Sequence, residues 1–283
     1  MIVLYKSTNN KRRQIMPLLG TEVRMNKIVN RITKRTVIVP MDHGISVGPI
    51  RGLVNMKEAK QNVADGGANA VLMHKGLADK CAREKGPNMA FIVHASASTS
   101  LSNDPNKKVL VCTVEEALQL GADAISVHLN IGNGHDAEVI GDCAGLIKSA
   151  RNWGMPVLVM VYPRGENIKK GDQFGVAYIK QVARVAVELG ADIVKCSYTG
   201  STETFSEVVA ACCGVPVVIA GGEKMDNDLE ILQMVSDAIV AGAAGTSIGR
   251  NIFQHKNPTA MTQAIVSIVH GGRTATEALQ FLI

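Results

Sequence analysis

The six cysteines, at positions 81, 112, 143, 196, 212 and 213, form no Cys-x-x-Cys pair and no Cys/His metal spacing. That argues against a zinc module or a disulfide framework. Thiols set in apolar runs read instead as small hydrophobes of a reducing compartment. Aromatic residues make up 4% of the chain, with one Trp, so the stacking platforms of a nucleic-acid surface are missing. Basic charge is concentrated at one end. Nine Lys and Arg stand against Glu22 alone in residues 1–35, while the whole chain carries only +5. The remainder is therefore mildly acidic, which again argues against nucleic acid as a partner. The longest apolar runs, such as 155–161, fall far below the ~20 residues of a membrane helix. Residues 1–20 carry charges and Asn but no continuous apolar core, so no signal peptide is visible and cytoplasm is the expected location. No cluster of carboxylates or histidines suggests a metal, and nothing calls for a cofactor.

What is present is ample apolar material, 46% hydrophobic against 19% charged residues over 283 positions. This is a soluble globular composition, long enough for one large α/β barrel or two ordinary domains. Residues 1–20 read as a poorly ordered leader, and 21–31 can form a short helix. From there a grammar repeats: β-branched strand, loop, helix, next strand. The pattern predicts strands at 37–41, 70–74, 90–94, 124–128, 157–162, 192–196, 217–220 and 246–248. Helices are predicted at 56–64, 114–120, 137–153, 174–189, 204–212, 229–241 and 258–269, with a weaker one near 77–82. A short internal repeat, Gly-Gly-Ala-Asn (66–69), Leu-Gly-Ala-Asp (120–123 and 189–192) and Ala-Gly-Ala-Ala (241–244), precedes four of the strands. Its Gly can close the preceding helix. Strands alternating with helices predict a parallel sheet with right-handed crossovers. Eight such units predict a single-domain (β/α)8 TIM barrel over 21–283 with a short N-terminal extension. The rival, a doubly wound open sheet, needs a phosphate fingerprint at the first βα turn, and none is there.

Function in such a barrel lies where strands end. Those ends read Asp42-His43-Gly44, His74-Lys75-Gly76, His94, His128, Tyr162-Pro163-Arg164-Gly165, Lys195, Gly221-Gly222 and Gly249-Arg250-Asn251. Side chains alternate along a strand, so Ile193 shares a face with Lys195, Leu158 and Met160 with Tyr162, and Ile38 and Pro40 with Asp42. If those faces point inward, Lys195, Tyr162 and Asp42 converge. A lysine near the end of a buried strand reads as the nucleophile of a Schiff base with a carbonyl substrate. An ordinary amine is neutral in roughly one molecule in 2500 at pH 7; lowering its pKa to ~7 frees half of it, a shift of ~3 units or ~4 kcal/mol. Desolvation and nearby positive charge, from Arg164, Arg250 or Lys224, can supply that shift. The bland alternative is a salt-bridged structural lysine. Lys75 is a competing amine, in a segment that also suits a loop or phosphate role. Tyr162 suits proton transfer and Asp42 a base or hydroxyl ligand, unless the one is a core aromatic and the other a turn-former. His128 and His43 are rim histidines that can touch substrate. The glycine turns 221–222 and 249, with Lys224 and Arg250, sit at the two barrel positions that often hold phosphate.

Taken together, Val39-Pro40-Met41-Asp42-His43-Gly44, Met160-Val161-Tyr162-Pro163-Arg164-Gly165, Ala191-Asp192-Ile193-Val194-Lys195, Val218-Ile219-Ala220-Gly221-Gly222 and Ile248-Gly249-Arg250-Asn251-Ile252-Phe253-Gln254 resemble the class I aldolase family that includes archaeal-type fructose-bisphosphate aldolase. The resemblance runs in order over about 22–283. Within it, residues 40–50, 72–76 and the Tyr-Pro-Arg-Gly run are most similar to the 2-amino-3,7-dideoxy-D-threo-hept-6-ulosonate synthase branch. The resemblance implies a Schiff base on Lys195, proton donation by Tyr162 and proton abstraction by Asp42. It also implies sugar-phosphate contacts from Asp42, His43, Gly44, Ile45, Ser46, Tyr162, Pro163, Arg164, Gly221, Gly222, Gly249 and Arg250. The implied reaction transfers a three-carbon unit from a ketose phosphate to L-aspartate 4-semialdehyde, on a route to 3-dehydroquinate and aromatic amino acids. The implied assembly is a homo-oligomer, often a decamer. The run 94–103 lies outside the matched motifs and reads as a substrate loop. Three other readings stand beside this one: a plain sugar-phosphate aldolase acting on fructose 1,6-bisphosphate, a phosphate-binding barrel isomerase or prenyltransferase without lysine covalency, and a non-catalytic barrel.

Overall fold

The computed structural model describes residues 19–81 and 89–283. The expected leader lies outside them except for its last two residues, and the end of the helix expected near 77–82 also falls outside. Eight parallel strands, β1 (Thr36–Pro40), β2 (Ala70–His74), β3 (Ala90–His94), β4 (Ala124–Ile131), β5 (Val157–Pro163), β6 (Ile193–Ser197), β7 (Val217–Ala220) and β8 (Gly245–Ser247), form a closed barrel. Each pairs with the next in chain order, and β8 returns to β1 with Ile38 opposite Ser247. The strands are buried along nearly their whole length, as a parallel sheet covered on both faces requires. Alternate residues serve two cores. Ile38, Leu72, Ile92, Leu158, Met160, Ile193 and Val218 fill the barrel interior. Val37, Val39, Val71, Val93, Ile125, Val159 and Val194 pack outward beneath the helices. The inward parity expected for β1, β5 and β6 is the observed one.

The short repeat has a structural purpose. Gly190 adopts a left-handed φ of 102° at the end of helix Val176–Leu189, turning the chain into β6. The polar residue that follows then pins each new strand to the one before. The side-chain oxygen of Asn69 accepts a hydrogen bond from the Val37 amide at 2.7 Å. Asp123 accepts from the Phe91 amide at 3.0 Å, and Asp192 from the Val157 amide at 2.8 Å. The fourth copy carries Ala244 in that place and has no such acceptor. Backbone alone serves there: the Ala244 amide donates to the Val217 carbonyl of β7 and the Ala244 carbonyl accepts from the Thr36 amide of β1, each at 2.8 Å, and a Cβ on Gly245 would lie 1.8 Å from the Thr36 carbonyl oxygen.

Helix Leu19–Ile28 closes the end of the barrel where the strands begin. Ile28 is fully buried against the interior cluster, and Thr36 Oγ1 donates to its carbonyl at 2.7 Å. This helix starts two residues earlier and ends three earlier than the sequence pattern suggests. Several features are absent from that pattern, the short helices Gly44–Val47, Arg250–Phe253 and Ala275–Leu279 among them. β4 continues past His128 to Ile131, and a small antiparallel ribbon, Ser96–Ala97 with Val109–Leu110, stands beyond β3. No helix among the described residues is long and apolar enough to cross a membrane.

Because Ile28 fills a closed floor, Ile28→Ala is expected to cost about 3 kcal/mol of stability, within the range for large-to-small core changes. Urea unfolding measures this. Schiff-base formation at permissive temperature should be unaffected, since the strand ends lie at the opposite face.

Candidate active site

Lys195 lies in β6 with Met160 and Val218 as its register neighbours. Both belong to the interior cluster, so the lysine side chain points into the barrel, where 6% of the residue is exposed. Asp42 follows β1 by two residues, and Tyr162 is the penultimate residue of β5, 8% exposed. All three meet at one mouth. Asp42, Arg164 and Arg250 act electrostatically on Lys195, and the same three groups act on Tyr162. The Arg164 guanidinium sits 4.7 Å from the centre of the Tyr162 ring.

Burial is the largest influence on Lys195, and Arg164 and Arg250 add to it. Together they lower the pKa from 10.5 to about 8 against the opposing pull of Asp42. That frees about one amine in ten at pH 7, roughly 250 times the supply from an ordinary lysine. The displacement is smaller than the sequence argument required, because Asp42 holds the cation. For Asp42 burial works upward, but His94, His43, Lys195 and His74 outweigh it and keep the carboxyl below the usual range. The three histidines are themselves pushed below their usual range by burial, His94 to about 3. At neutral pH the charged partner of Asp42 is therefore the Lys195 ammonium. Burial raises the Tyr162 phenol, which stays protonated and able to donate.

The rim around this trio is closely built. His94 is 3% exposed; its Nδ1 meets Ser126 Oγ at 2.7 Å and its Nε2 lies 3.8 Å from Asp42 Oδ2. The His43 ring packs edge-on against Phe253, with centroids 5.2 Å apart, and its Nδ1 lies 3.6 Å from Asp42 Oδ1. The His128 ring lies tilted against Tyr162, with centroids 5.1 Å apart, and its Nε2 meets Asn130 Oδ1 at 2.9 Å. Gly44, Ile45 and Ser46 open a one-turn helix, Gly44–Val47, whose Gly44 and Ile45 are exposed. Ser46 Oγ donates to the Ser98 carbonyl at 3.2 Å. Pro163 ends β5 and is buried. On the far side, a Cβ on Gly249 would lie 2.8 Å from both the Pro40 carbonyl and His43 Cε1, so only glycine lets this backbone come so close to the first strand end. Gly222 takes φ +68° with open space around its Cα. Asn251 ties the two turns together by donating to the carbonyls of Gly221 and Glu223, each at 2.9 Å. Among the described residues Arg250 Nε is buried there without a hydrogen-bond partner.

Two sequence-predicted residues are not brought to this centre. Lys75 opens the helix Lys75–Cys81 and points away: its amine is held by Glu116 at 2.7 Å, its side chain is 41% exposed, and that hydrogen bond raises its pKa. Lys224 turns back on its own chain, with its amine on the Met225 carbonyl; the cations acting on Lys195 are Arg164 and Arg250. Two others were not singled out. His94 was visible as a strand end but not as the neighbour of Asp42. Lys108 had no signal, since Lys107-Lys108 reads as a solvated pair. The ribbon separates them: Lys107 reaches Glu138 at 3.0 Å, while Lys108 bonds Ser98 Oγ and acts on His74, His94 and His128 inside the mouth. Among the described residues no group of three or more His, Cys, Asp or Glu is placed to hold a metal ion.

The lowered Lys195 pKa has a definite pH signature. The amine loses its proton as pH rises through about 8, so the initial rate of borohydride trapping with a ketone should climb about tenfold per unit below that value and level off above it. Arg164→Met removes a repelling charge, which moves the inflection upward and slows trapping at pH 7. Lys75→Met should leave the whole profile in place. An inflection near that of ordinary lysine in the unaltered protein would contradict the burial described here.

Comparison with known proteins gives one family. A model described as DeoC/LacD family aldolase matches residues 36–255. A protein of Halobacterium salinarum named 2-amino-3,7-dideoxy-D-threo-hept-6-ulosonate synthase is 42% identical over 92% of this chain and 95% of its own. A Streptomyces griseus protein named 2-amino-4,5-dihydroxy-6-oxo-7-(phosphonooxy)heptanoate synthase is 38% identical over 89% of this chain and 91% of its own. Among solved structures, an archaeal fructose-1,6-bisphosphate aldolase, described with its catalytic Lys covalently bound to the carbinolamine intermediate of the substrate, superimposes with a TM-score of 0.80 at 30% identity, covering 88% of this chain and 99% of that one. With the family model spanning most of the barrel and relatives of this identity aligned along nearly its full length, the chain belongs to the DeoC/LacD family of aldolases.

Proposed function

We propose that this chain is a Schiff-base transaldolase that joins a three-carbon unit from a ketose phosphate to L-aspartate 4-semialdehyde. The observation that carries the proposal is the desolvated Lys195 amine facing Asp42 and Tyr162 in one mouth. The names of the two relatives support the substrate class by their carbon skeletons. Both products are seven-carbon chains with an amino group at C2, oxygen at C4 and C5 and a carbonyl at C6. A Schiff base at C6 activates C5, so the bond made is C4–C5. Disconnecting it leaves a four-carbon 2-amino acid with an aldehyde at C4, which is aspartate semialdehyde, and a hydroxyketone of three carbons.

In the proposed mechanism neutral Lys195 attacks the donor ketone, and loss of water gives the protonated imine. Asp42 takes the proton from the donor hydroxyl as the C–C bond breaks, and the imine accepts the electron pair as an enamine. The remainder of the donor leaves as an aldehyde. The enamine then attacks the acceptor aldehyde, Tyr162 gives a proton to the new alkoxide, and water releases the product from Lys195. Gly221, Gly222, Gly249 and Arg250 hold the phosphate, with the unpartnered Arg250 Nε available to it. His43, Gly44, Ile45, Ser46, Pro163, Arg164 and His128 line the remaining substrate contacts. The reading carries with it a cytoplasmic homo-oligomeric enzyme, up to a decamer, supplying precursors of 3-dehydroquinate, and a catalytic domain of residues 21–283.

A second reading, cleavage of fructose 1,6-bisphosphate, is favoured by the superimposed archaeal aldolase. One set of measurements separates the readings. Borohydride in the presence of dihydroxyacetone phosphate should inactivate the enzyme and add mass to the peptide carrying Lys195, not to those carrying Lys75 or Lys108. Supplying L-aspartate 4-semialdehyde with hydroxyacetone or dihydroxyacetone phosphate should yield the seven-carbon amino acid. Rapid fructose 1,6-bisphosphate cleavage without that condensation selects the second reading. Full activity of Lys195→Ala removes both.

A further inference from the structure

In an eight-strand ring β7 and β8 lie across from β3 and β4. The glycine turns and Arg250 occupy one side. The other side is occupied by a loop that was not part of the matched motifs. Residues 98–108 leave β3 through Ser96–Ala97 and return through Val109–Leu110. Contacts fix this loop at both edges. The Ser100 amide donates to the Ser46 carbonyl at 2.9 Å, tying it to the loop after β1. Asn130 Nδ2 donates to the Asn106 carbonyl at 2.9 Å, tying it to β4. Ser98 Oγ, itself donating to the Pro105 carbonyl, receives the Lys108 amine. Among the described residues Lys108 forms no ion pair with a carboxylate, whereas its neighbour Lys107 is paired with Glu138. Lys108 and Arg164 repel one another, and both act on the His128 ring that lies tilted against Tyr162. A half-buried cation, held by a hydroxyl and beside a second cation, is a site prepared for an anion.

We propose that Lys108, backed by Ser98 and Arg164, binds the carboxylate of the acceptor aldehyde. The mouth then has two anion-binding poles: one near Gly222 and Arg250 for the phosphate of the donor, the other at Lys108 for the acid group of the acceptor. Lys195 stands between them. The assignment rests on the transaldolase reading and deepens it by giving the acceptor an address. It also accounts for a loop that makes its cation face inward rather than toward solvent.

The test compares Lys108→Met and Lys108→Arg with the unaltered enzyme. Two quantities are read: KM for L-aspartate 4-semialdehyde at saturating dihydroxyacetone phosphate, and the dihydroxyacetone phosphate concentration that half-saturates borohydride trapping on Lys195. Loss of a charge-assisted hydrogen bond corresponds to about ten- to a hundredfold. Lys108→Met should raise the acceptor KM by that factor while half-saturation by the donor stays within about twofold, and Lys108→Arg should recover most of the loss. An unchanged acceptor KM in Lys108→Met, or a donor half-saturation that moves by the same factor, overturns the subsite while leaving the transaldolase reading intact. If the unaltered enzyme is trapped by the donor yet never condenses it with aspartate semialdehyde, the reading and the subsite fall together.

Discussion

The site depends on keeping one ammonium group dry. Lys195 is enclosed by Met160, Ile193 and Val218 on the inner wall of the barrel, where water cannot solvate its charge. Closure of the ring is what makes that wall continuous, so the reactivity of the amine is a property of the whole fold rather than of its immediate neighbours. Asp42 limits the effect. A carboxylate facing the amine keeps it partly protonated, and the pair settles at about 8 rather than lower. In the proposed mechanism the same carboxylate accepts a proton, so one residue would both moderate the amine and take part in the following step.

The other charges of the mouth follow from this centre. His43, His74 and His94 crowd Asp42, but burial keeps them from carrying charge at neutral pH. They surround a single carboxylate as uncharged rings, with His43 Nδ1 at 3.6 Å and His94 Nε2 at 3.8 Å from its oxygens. Arg164, Arg250 and Lys108 are cationic, which leaves the mouth positive and suited to anionic substrates. The backbone serves the same end. Gly249 allows the eighth strand end to press against Pro40 and His43, bringing the turn that carries Arg250 to the residues beside Asp42.

Much of this was legible in the sequence because it is periodic. Alternation along short β-branched runs placed Ile193 with Lys195, Met160 with Tyr162 and Ile38 with Asp42, and parity alone then brought three separated motifs to one end of a barrel. The limits are equally physical. Lys75 and Lys224 occupy strand-end positions like the others, yet a neighbouring acceptor captures each: Glu116 for the first, the Met225 carbonyl for the second. The first acceptor comes from packing between elements, which local pattern does not encode, and the second is the carbonyl of the next residue, which a side chain reaches only by turning back in the folded loop. Lys108 was hidden for the same reason. A two-residue ribbon is too short to show alternation, and only its pairing turns one of two adjacent lysines inward.

The seam between β1 and β8 joins residues 36–38 to residues 245–247. Almost the entire barrel must therefore emerge from the ribosome before the circle can shut. Until that moment the inner wall is open to water, and Lys195 behaves as any surface lysine does. A nascent chain thus carries no activated amine to react with the carbonyl metabolites around it; the hazard appears only together with the cavity that contains it.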